Sequence, residues 1–370
     1  MVADQELKRY RAYWSQFIEG LTQPSLPALI GTVVVATSVF FWCVIFITPT
    51  FIATTGYGYF INGATDEYGY LTSEVLRIKQ TPAQQLSIAL VGESSLREAI
   101  SDVTHLNHWV EEKIGQPVVS YDLMAGSLSH WEAVCILDNL NENFRGIVVL
   151  YISPNALARK NDYLAELVRY PRLALDCPSF DAELRLAGVT VPQRFNNYFL
   201  NHYSFFIARQ SALLNLITGQ VQLERHKIAR WEFIMNSQRW QLAIQTVKQW
   251  LEGENYHHNR QANLGVYARL IQRLQQSKQI QVALVESVRN PKVESIIYAT
   301  PAAKQLYDEY QIDVKKFVRK NNVFYWDIGK RVNLQPEDFV DHTHLKDHQS
   351  RQRYTLALAE LLAKRLLQIQ

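Results

Sequence analysis

The stretch LSIALVGESS, residues 86–95, decides the fold, because an unbroken apolar run ends there in a turn of small residues. Four more apolar runs follow it: PVVSYDL at 117–123, GIVVLYI at 146–152, IQVALVESV at 280–288 and VFYWD at 323–327. Segments with helical periodicity separate these runs. Short apolar strands that alternate with helices are typical of a parallel sheet covered by helices on both faces. The sequence therefore predicts an α/β domain over residues 83–370.

The interval between the third and fourth strands has no strand pattern. We predict a helical insertion at about 156–279, which includes amphipathic segments at 240–254 and 267–276. An aromatic cluster lies within this insertion: Phe195, Tyr198, Phe199, Tyr203, Phe205 and Phe206. Core packing is the first interpretation of the cluster, and a surface that faces a membrane or a ligand is the alternative.

Composition excludes several classes of protein. Lys and Arg number 38 against 35 Asp and Glu, and no basic stripe stands out, so nucleic acid is not an expected partner. With 48% hydrophobic and 20% charged residues, the chain is neither disordered nor a polytopic membrane protein. Three cysteines exclude a disulfide-rich scaffold and a four-cysteine zinc site. Outside the apolar segment that contains Cys43, at most one bridge could form, between Cys135 and Cys177.

A membrane anchor is predicted near the N-terminus. The run ALIGTVVVATSVFFWCVIFI at 28–47 has the ~20 residues that a helix needs to cross a bilayer. A cleaved signal peptide fits less well, because the apolar run is too long and no small-residue cleavage site follows it. Lys8, Arg9 and Arg11 precede the run, and the next cation is Arg77, which predicts a cytoplasmic N-terminus. The expected order is an arm at 1–27, an anchor at 28–50 and a connector at 51–82.

The arm before the anchor has a helical face of its own. Leu7, Tyr10, Trp14, Phe17 and Leu21 recur at intervals of three and four. Such a helix could lie in the membrane interface or pack on the transmembrane helices of a partner. A short helical lead-in with aromatic side chains at the headgroup level explains the pattern equally well.

The turn after the first strand is the first candidate for chemistry. Gly92 permits a tight turn, and Ser94 then stands at the carboxyl edge of the sheet, where open α/β folds bind ligands. Ser95 and Glu98 spell S-x-x-E, which predicts a capping box and leaves Ser94 as the freer hydroxyl. Both serines could also be ordinary turn residues.

The loop before the last predicted helix contains a carboxylate and an imidazole that form the second candidate for chemistry. Asp341 and His344 are three residues apart just before the last predicted helix, so one turn can bring them together. A carboxylate that holds one ring nitrogen leaves the other free to take a serine proton. His342 and His348 allow a metal interpretation as well, but no second cluster of ligand-type residues supports it.

These motifs together resemble the SGNH (GDSL-type) hydrolases. The resemblance rests on Gly92-Glu93-Ser94, where glutamate replaces the usual aspartate, and on Asp341-x-x-His344. It implies a flavodoxin-like three-layer α/β/α fold, Ser94 as nucleophile, His344 as general base and Asp341 as its orienting partner. It also implies an oxyanion hole built from Ser94, Gly126 and Asn155, although Ser153-Pro154-Asn155 departs from the usual G-x-N-D block. Neither a metal nor an organic cofactor is implied.

Among these hydrolases, the predicted architecture is similar to the membrane-anchored proteins of the DltD type and of exopolysaccharide O-acetylation. That similarity implies a bacterial cytoplasmic membrane location with the domain outside. It also implies an MBOAT-type acyltransferase as partner and an O-acylated cell-envelope polymer, acetylated or D-alanylated, as substrate. A non-catalytic partner that positions the polymer is one alternative. A structural envelope protein with an accidental motif is another.

Three further residues are candidate substrate contacts. Arg97 follows the nucleophile and could meet an anionic group, or it could be a solvated helix residue. Arg289 and Asn290 follow the fourth strand at the same edge of the sheet. Because Pro291 comes next, a simple turn is the alternative for this pair.

Overall fold

The computed structural model describes residues 25–55, 66–81, 85–209, 254–297 and 299–369, together with Gln241 and Gln245. The predicted arm up to residue 24 and most of the segment 240–254 lie outside the described residues. The first half of the chain contains α1 (Leu26–Phe46), α2 (Pro49–Thr55), α3 (Glu67–Gln80), β1 (Leu86–Gly92), α4 (Ser94–Ala99), α5 (Val103–Ile114), β2 (Val118–Met124), α6 (His130–Asp138) and β3 (Gly146–Ile152). The described insertion contains α7 (Pro154–Ala158), α8 (Asp162–Arg169), α9 (Pro178–Leu186), α10 (Tyr198–Asn201), α11 (Tyr203–Ile207) and α12 (Glu254–Gln275). The last part contains β4 (Ile280–Glu286), α13 (Pro291–Ile297), α14 (Pro301–Asn321), β5 (Phe324–Trp326), α15 (Ile328–Arg331), a 3-10 turn (Pro336–Asp338) and α16 (His348–Leu366).

The five strands form one parallel sheet in the order β2-β1-β3-β4-β5. The chain starts in the middle, adds β2 on one side and then β3, β4 and β5 on the other. The carboxyl ends of β1 and β3 therefore lie side by side where the strand order reverses, which is where open α/β sheets form a ligand crevice. The α/β class and the parallel sheet are as the sequence predicts.

Alternate residues of the strands contribute to two separate hydrophobic cores. Ala89 and Val91 of β1 belong to one core, which α3, α6, α12 and α14 cover. Ile88 and Leu90 point the other way, into a core closed by α5 and α16. Every residue of β1 and β3 is buried. A central strand buried on both faces has to be apolar throughout, which is why the run at 86–92 is so clear in the sequence.

Two elements lie where the sequence analysis did not expect them. The helix α3 falls within the predicted connector, yet its Leu71 and Val75 are fully buried in the first core. The long helix α12 falls within the predicted insertion, yet its Ile271 is buried in the same core and its Tyr267 hydroxyl donates to the Tyr151 carbonyl of β3 at 2.9 Å. Both helices are thus part of the layer that covers the sheet.

Among the described residues, α1 is the one helix long and apolar enough to cross a membrane. Its side chains are exposed from Leu26 through Trp42, whereas Cys43 and the following Ile47 are buried against the domain. An exposed surface of this size composed of Val, Ile, Leu and Phe is stable in lipid and not in water. The predicted anchor at 28–50 therefore corresponds to a helix that begins at Leu26 and ends at Phe46.

Candidate active site

A cavity of about 170 Å³ lies at the carboxyl edge of the sheet, at the reversal point between β1 and β3. The ends of β1, β3 and β4 and the loop before α16 form its walls. Six side chains that matter to its chemistry are Ser94, Ser127, Asn155, Arg289, Tyr307 and His344. The cavity therefore combines hydroxyl, amide, imidazole and guanidinium groups in one small space.

Ser94, His344 and Asp341 form one hydrogen-bonded chain, although Ser94 and His344 are 250 residues apart in sequence. The Nε2 atom of His344 lies 3.0 Å from the Oγ atom of Ser94, and its Nδ1 atom lies 2.6 Å from Oδ2 of Asp341. The other carboxylate oxygen, Oδ1, accepts the backbone N–H groups of Thr343 and His344, both at 2.8 Å. Asp341 thus fixes both the loop and the imidazole ring.

The pKa of Asp341 is lowered to about 2. Burial raises its pKa, but the His344 hydrogen bond, the His344 charge and the Thr343 N–H together outweigh burial. A carboxyl whose pKa is lower in the folded state stabilises the fold above its unfolded pKa of ~3.9. That contribution is lost as the pH falls through the folded value of about 2. Asp341 is therefore ionised at every pH at which a neutral imidazole could act as a base.

Ser94 occupies the first position of α4, directly after β1. A Cβ atom at Gly92 would lie 2.6 Å from the Cβ of Tyr151, so only glycine lets β1 end this close to β3. Glu93 precedes the helix without capping it, and its carboxylate pairs with Arg159 at 3.2 Å. Burial raises the pKa of Glu93, an effect that the Arg159 charge opposes. Glu93, in the turn before Ser94, is therefore paired with Arg159, a residue that follows β3 in the chain.

The capping box predicted for Ser95 and Glu98 is wrong. Ser95 is the second residue of α4 and does not cap it, because Glu93 occupies the N-cap position. The Glu98 carboxylate instead accepts from Arg97 at 2.9 Å. The S-x-x-E pattern failed because the helix begins at Ser94, two residues earlier than a cap at Ser95 requires.

The oxyanion donors predicted from the resemblance differ in their environment. Asn155 lines the cavity beside Ser94, at the second position of α7. Gly126 follows β2 at the same edge, but its N–H donates to the carboxylate of Glu67, and its carbonyl accepts from the Tyr68 hydroxyl at 2.8 Å. In this structure, the Gly126 N–H is thus committed to Glu67 and not directed at the cavity.

Arg97 does not line the cavity, contrary to the prediction of a substrate contact. Its guanidinium pairs with Glu67 and with Glu98, and its side chain is only 15% exposed. Because two carboxylates already neutralise it, Arg97 has no free charge to offer to an anionic substrate. It connects α4 to α3 instead.

Asn290 also has a role other than the predicted one. It is 2% exposed, its amide donates to the Asp341 carbonyl at 3.1 Å, and its N–H donates to the His342 carbonyl at 3.0 Å. The amide oxygen accepts from the N–H of Lys292 at 2.9 Å. Asn290 therefore ties the loop that carries Asp341 to the end of β4, and so it positions the loop and does not contact substrate.

Arg289 lines the cavity as predicted, but it belongs to a buried ion pair. Its guanidinium lies 2.5 Å from Glu286, a residue whose side chain is fully buried at the end of β4. Glu286 also accepts from the hydroxyls of Tyr310 at 2.8 Å and Tyr325 at 2.5 Å. Burial raises the pKa of Glu286, and the Arg289 charge counteracts that rise. The pair stiffens the cavity wall at the edge of β4.

Breaking this pair should cost much more than breaking an exposed one. We expect Arg289→Met to lower the free energy of unfolding by about 3–5 kcal/mol, because the Glu286 charge loses its buried partner. Without the cation, the pKa of Glu286 rises further in the folded state. At low pH the folded variant can therefore protonate Glu286 and no longer buries an unpaired charge. The decrease in the free energy of unfolding should be smaller at about pH 5 than at about pH 8. Thermal and denaturant unfolding of the purified full chain measure both effects.

Arg331→Met is the matched control for that variant. Arg331 pairs with Glu360 at 3.2 Å on the surface, where both side chains are largely exposed. An exposed pair contributes about 0–1 kcal/mol, so this variant should unfold like the parent at both pH values. Equal losses in the two variants would contradict the interpretation of the Arg289 pair.

The remaining candidate residues are two histidines and two cysteines. His342 lines the cavity, and burial lowers its pKa; His348 is the exposed first residue of α16. Within the described residues, no group of three or more His, Cys, Asp or Glu side chains is placed to hold a metal ion. Cys135 and Cys177 are both buried free thiols.

Sequence reasoning missed the role of Glu67 and of Arg159. Glu67 follows a polar, glycine-containing stretch, and nothing in the pattern indicates that it reaches Gly126. The sequence did contain one indication of Arg159: Glu93 follows a buried strand, and a buried carboxylate requires a positively charged partner nearby. The sequence does not show which of the chain's many cations that is.

Comparison of the chain with protein families and with curated proteins gives no match. No protein-family model matches the chain, and no curated protein matches it.

Proposed function

We propose that the chain is a membrane-anchored serine esterase or O-acyltransferase of the SGNH type. The observation that carries the proposal is the chain of hydrogen bonds from Ser94 through His344 to Asp341, at 3.0 and 2.6 Å. A hydroxyl, an imidazole and a carboxylate in this order are what activated serine nucleophiles need.

The proposed reaction follows from this order. The Oγ atom of Ser94 attacks an ester carbonyl while His344 takes the hydroxyl proton at Nε2. His344 then returns the proton to the leaving alcohol, which gives a covalent acyl-serine. Water or a second alcohol attacks that ester in the same way and releases an acid or a new ester. Asp341 stays ionised and holds the imidazole in the tautomer that leaves Nε2 free.

The oxyanion would be held by the N–H of Ser94 and the amide of Asn155. Ser94 is at the first helical position, where a backbone N–H has no acceptor inside the helix. Asn155 is the cavity-lining amide next to it. Removal of one such donor typically costs 10²–10³ in rate, so Asn155 has a substantial role in this mechanism.

The strand order supports the proposed SGNH type. An order of 2-1-3-4-5 with the site at the β1/β3 reversal is that of flavodoxin-like doubly wound folds. Ser94 follows the first strand, and Asp341 and His344 precede the last helix, as the resemblance requires. The proposed chemistry uses neither a metal nor an organic cofactor.

The cavity can hold a short acyl group. A cavity of about 150 Å³ is large enough for a benzene molecule, and this one is about 170 Å³. An acetyl or D-alanyl group fits that space, so short O-acyl esters are the proposed substrates.

The location of the protein is proposed from α1 and from the flanking charges. A helix of 21 residues rises about 31 Å, which matches a bilayer core. Lys8, Arg9 and Arg11 favour a cytoplasmic N-terminus and a domain outside the bacterial cytoplasmic membrane. There, the proposed acceptor or donor is a cell-envelope polymer, and an MBOAT-type acyltransferase is the proposed partner.

Active-site labelling tests the proposal directly. The full chain in detergent or nanodiscs is treated with a fluorophosphonate probe and separately assayed with p-nitrophenyl acetate. We expect labelling and turnover in the parent and in Ser95→Ala, and neither in Ser94→Ala. Ser95 is the matched control because it is the adjacent serine on the same short helix. Equal labelling of all three proteins, or of none, would refute the proposed nucleophile.

The contact between Gly126 and Glu67 favours a second candidate function. An N–H that is already paired with a carboxylate cannot stabilise an oxyanion, and the carboxylate adds a negative charge nearby. A non-catalytic protein that keeps this fold and positions a polymer for an acyltransferase would have no need for that N–H. Such a protein would remain unlabelled by the fluorophosphonate probe.

The variant Glu67→Gln distinguishes the two functions. If the chain is an enzyme, Glu67→Gln removes a negative charge beside the developing oxyanion, and kcat/KM for p-nitrophenyl acetate should rise several-fold. The control is Glu74→Gln, which removes an acid on the same helix that pairs with Arg77 and is not bonded to Gly126. A non-catalytic protein shows no turnover in any of these forms. A lower rate in Glu67→Gln alone would mean that Glu67 supports the site.

A further inference from the structure

The end of α1 is in contact with the helical insertion. The ring centroids of Phe40 in α1 and Phe199 in α10 are 6.1 Å apart. The side-chain amide of Asn197 donates to the Val44 carbonyl at 2.9 Å. The insertion is therefore attached to the last two turns of the helix, and not only to the sheet.

The length of α1 sets the depth of this contact. Its freely exposed part, from Leu26 through Trp42, spans only about 25 Å at ~1.5 Å per residue. The hydrocarbon core of a bilayer is ~30 Å thick. The helix reaches the required length only with its last turn, which begins at Cys43, and the insertion contacts one side of this turn while Ile45 and Phe46 stay exposed. The insertion must then lie at the boundary between hydrocarbon and headgroups.

The insertion has an apolar surface at this place. Phe195, Tyr203 and Ile207 are 52%, 46% and 46% exposed, and we refer to them as the aromatic patch. The Tyr203 ring meets the buried Phe199 ring edge-on, with centroids 5.7 Å apart, and Phe199 in turn contacts Phe40, so the patch is packed against the end of α1. Phe195 is bound to the same unit, because its N–H donates to the Asn201 side chain at 2.6 Å.

We propose that the aromatic patch inserts into the outer boundary of the same bilayer that α1 crosses, with lipid as its occupant. This inference rests on the proposed anchoring by α1 but not on the catalytic proposal. Tyrosine is favoured at such a boundary, where its ring meets lipid and its hydroxyl meets water, and the apolar side chains of Phe195 and Ile207 gain by burial in lipid. The domain is thereby attached to the membrane at two places, which fixes its orientation relative to the surface.

Spin-label accessibility tests the proposal on the full chain in nanodiscs of phosphatidylethanolamine and phosphatidylglycerol. Single cysteines replace Tyr203, Val34 or Leu356 in a background without the three native cysteines, and each carries a nitroxide. Val34 reports on the middle of α1. Leu356 is an exposed apolar residue on α16, the helix that covers the opposite face of the sheet. We expect the ratio of oxygen to Ni(II)-chelate accessibility at Tyr203 to be several-fold above that at Leu356.

Each other result has a distinct meaning. A water-like ratio at Tyr203 with a lipid-like ratio at Val34 would overturn the proposal and leave the anchor intact. Shielding of Tyr203 from both reagents would show that a protein covers the patch, which also overturns the proposal. A water-like ratio at Val34 would refute the anchor itself and with it the inference.

Discussion

Replacing Ser94 with alanine should lower kcat for p-nitrophenyl acetate by roughly 10⁴–10⁶-fold. The variant keeps the cavity but loses the atom that would form the acyl-enzyme. The loss should appear in kcat and in kcat/KM alike, because the nucleophile acts in the transition state and contributes little to ground-state binding. Ser94 is only partly buried at the start of its helix, and the change removes a single oxygen atom, so we expect the variant to unfold at the same temperature as the parent.

Replacing His344 with alanine should cost as much, and the double variant should cost no more than either single one. The reason is that the hydroxyl and the imidazole act as one unit, so that removal of either disables both. His348→Ala is the control, since that histidine is exposed at the start of α16. If the losses in the two single variants were independent and multiplied, the 3.0 Å contact between Ser94 and His344 would not be a catalytic one.

The sheet could be predicted closely because its central strands, β1 and β3, are buried on both faces. The predicted run Gly146–Ile152 matches β3 at both ends, and the other four agree within one or two residues. In such strands, every position must be apolar, so the pattern needs no knowledge of what packs against them. Glu286, the last residue of β4, was overlooked because it lies inside an otherwise apolar run, and the pattern does not indicate a buried ion pair there.

The triad could be predicted because it depends on topology. Ser94 follows the first strand, and Asp341 and His344 precede the last helix, so the sheet order brings them to one edge. The roles assigned to Arg97 and Asn290 failed for the opposite reason. Both residues are close to the site, but their side chains turn to partners such as Glu67 and the Asp341 carbonyl. Such partners are determined by packing, which no local pattern encodes.

The connector prediction failed for a related reason. The helix α3 has a mixed sequence, EYGYLTSEVLRIKQ, in which glycine and serine weaken the helical pattern. It is stable because its Leu71 and Val75 are buried in the first core, so tertiary packing overrides its propensity. As a result, α3 brings the Glu67 carboxylate to the Gly126 N–H at the edge of the sheet.

Replacing Asp341 with asparagine should lower kcat by about 10⁴-fold while leaving the loop in place. The asparagine oxygen can still accept the N–H groups of Thr343 and His344, which Oδ1 of Asp341 accepts at 2.8 Å. Its amide, however, donates to Nδ1 of His344, so the proton moves to Nε2. An imidazole protonated at Nε2 cannot take the proton of Ser94, and the nucleophile stays neutral.

Asp347→Asn is the matched control for this charge removal. Asp347 caps α16 by accepting the N–H of Ser350 at 2.7 Å, and asparagine caps helices about as well. Its kcat should equal that of the parent. A parent-like rate in Asp341→Asn would show that the 2.6 Å contact between His344 and Asp341 does not set the tautomer. A large loss confined to Asp341→Asn would instead establish that the carboxylate orients the base, because the two variants differ in position and not in chemistry.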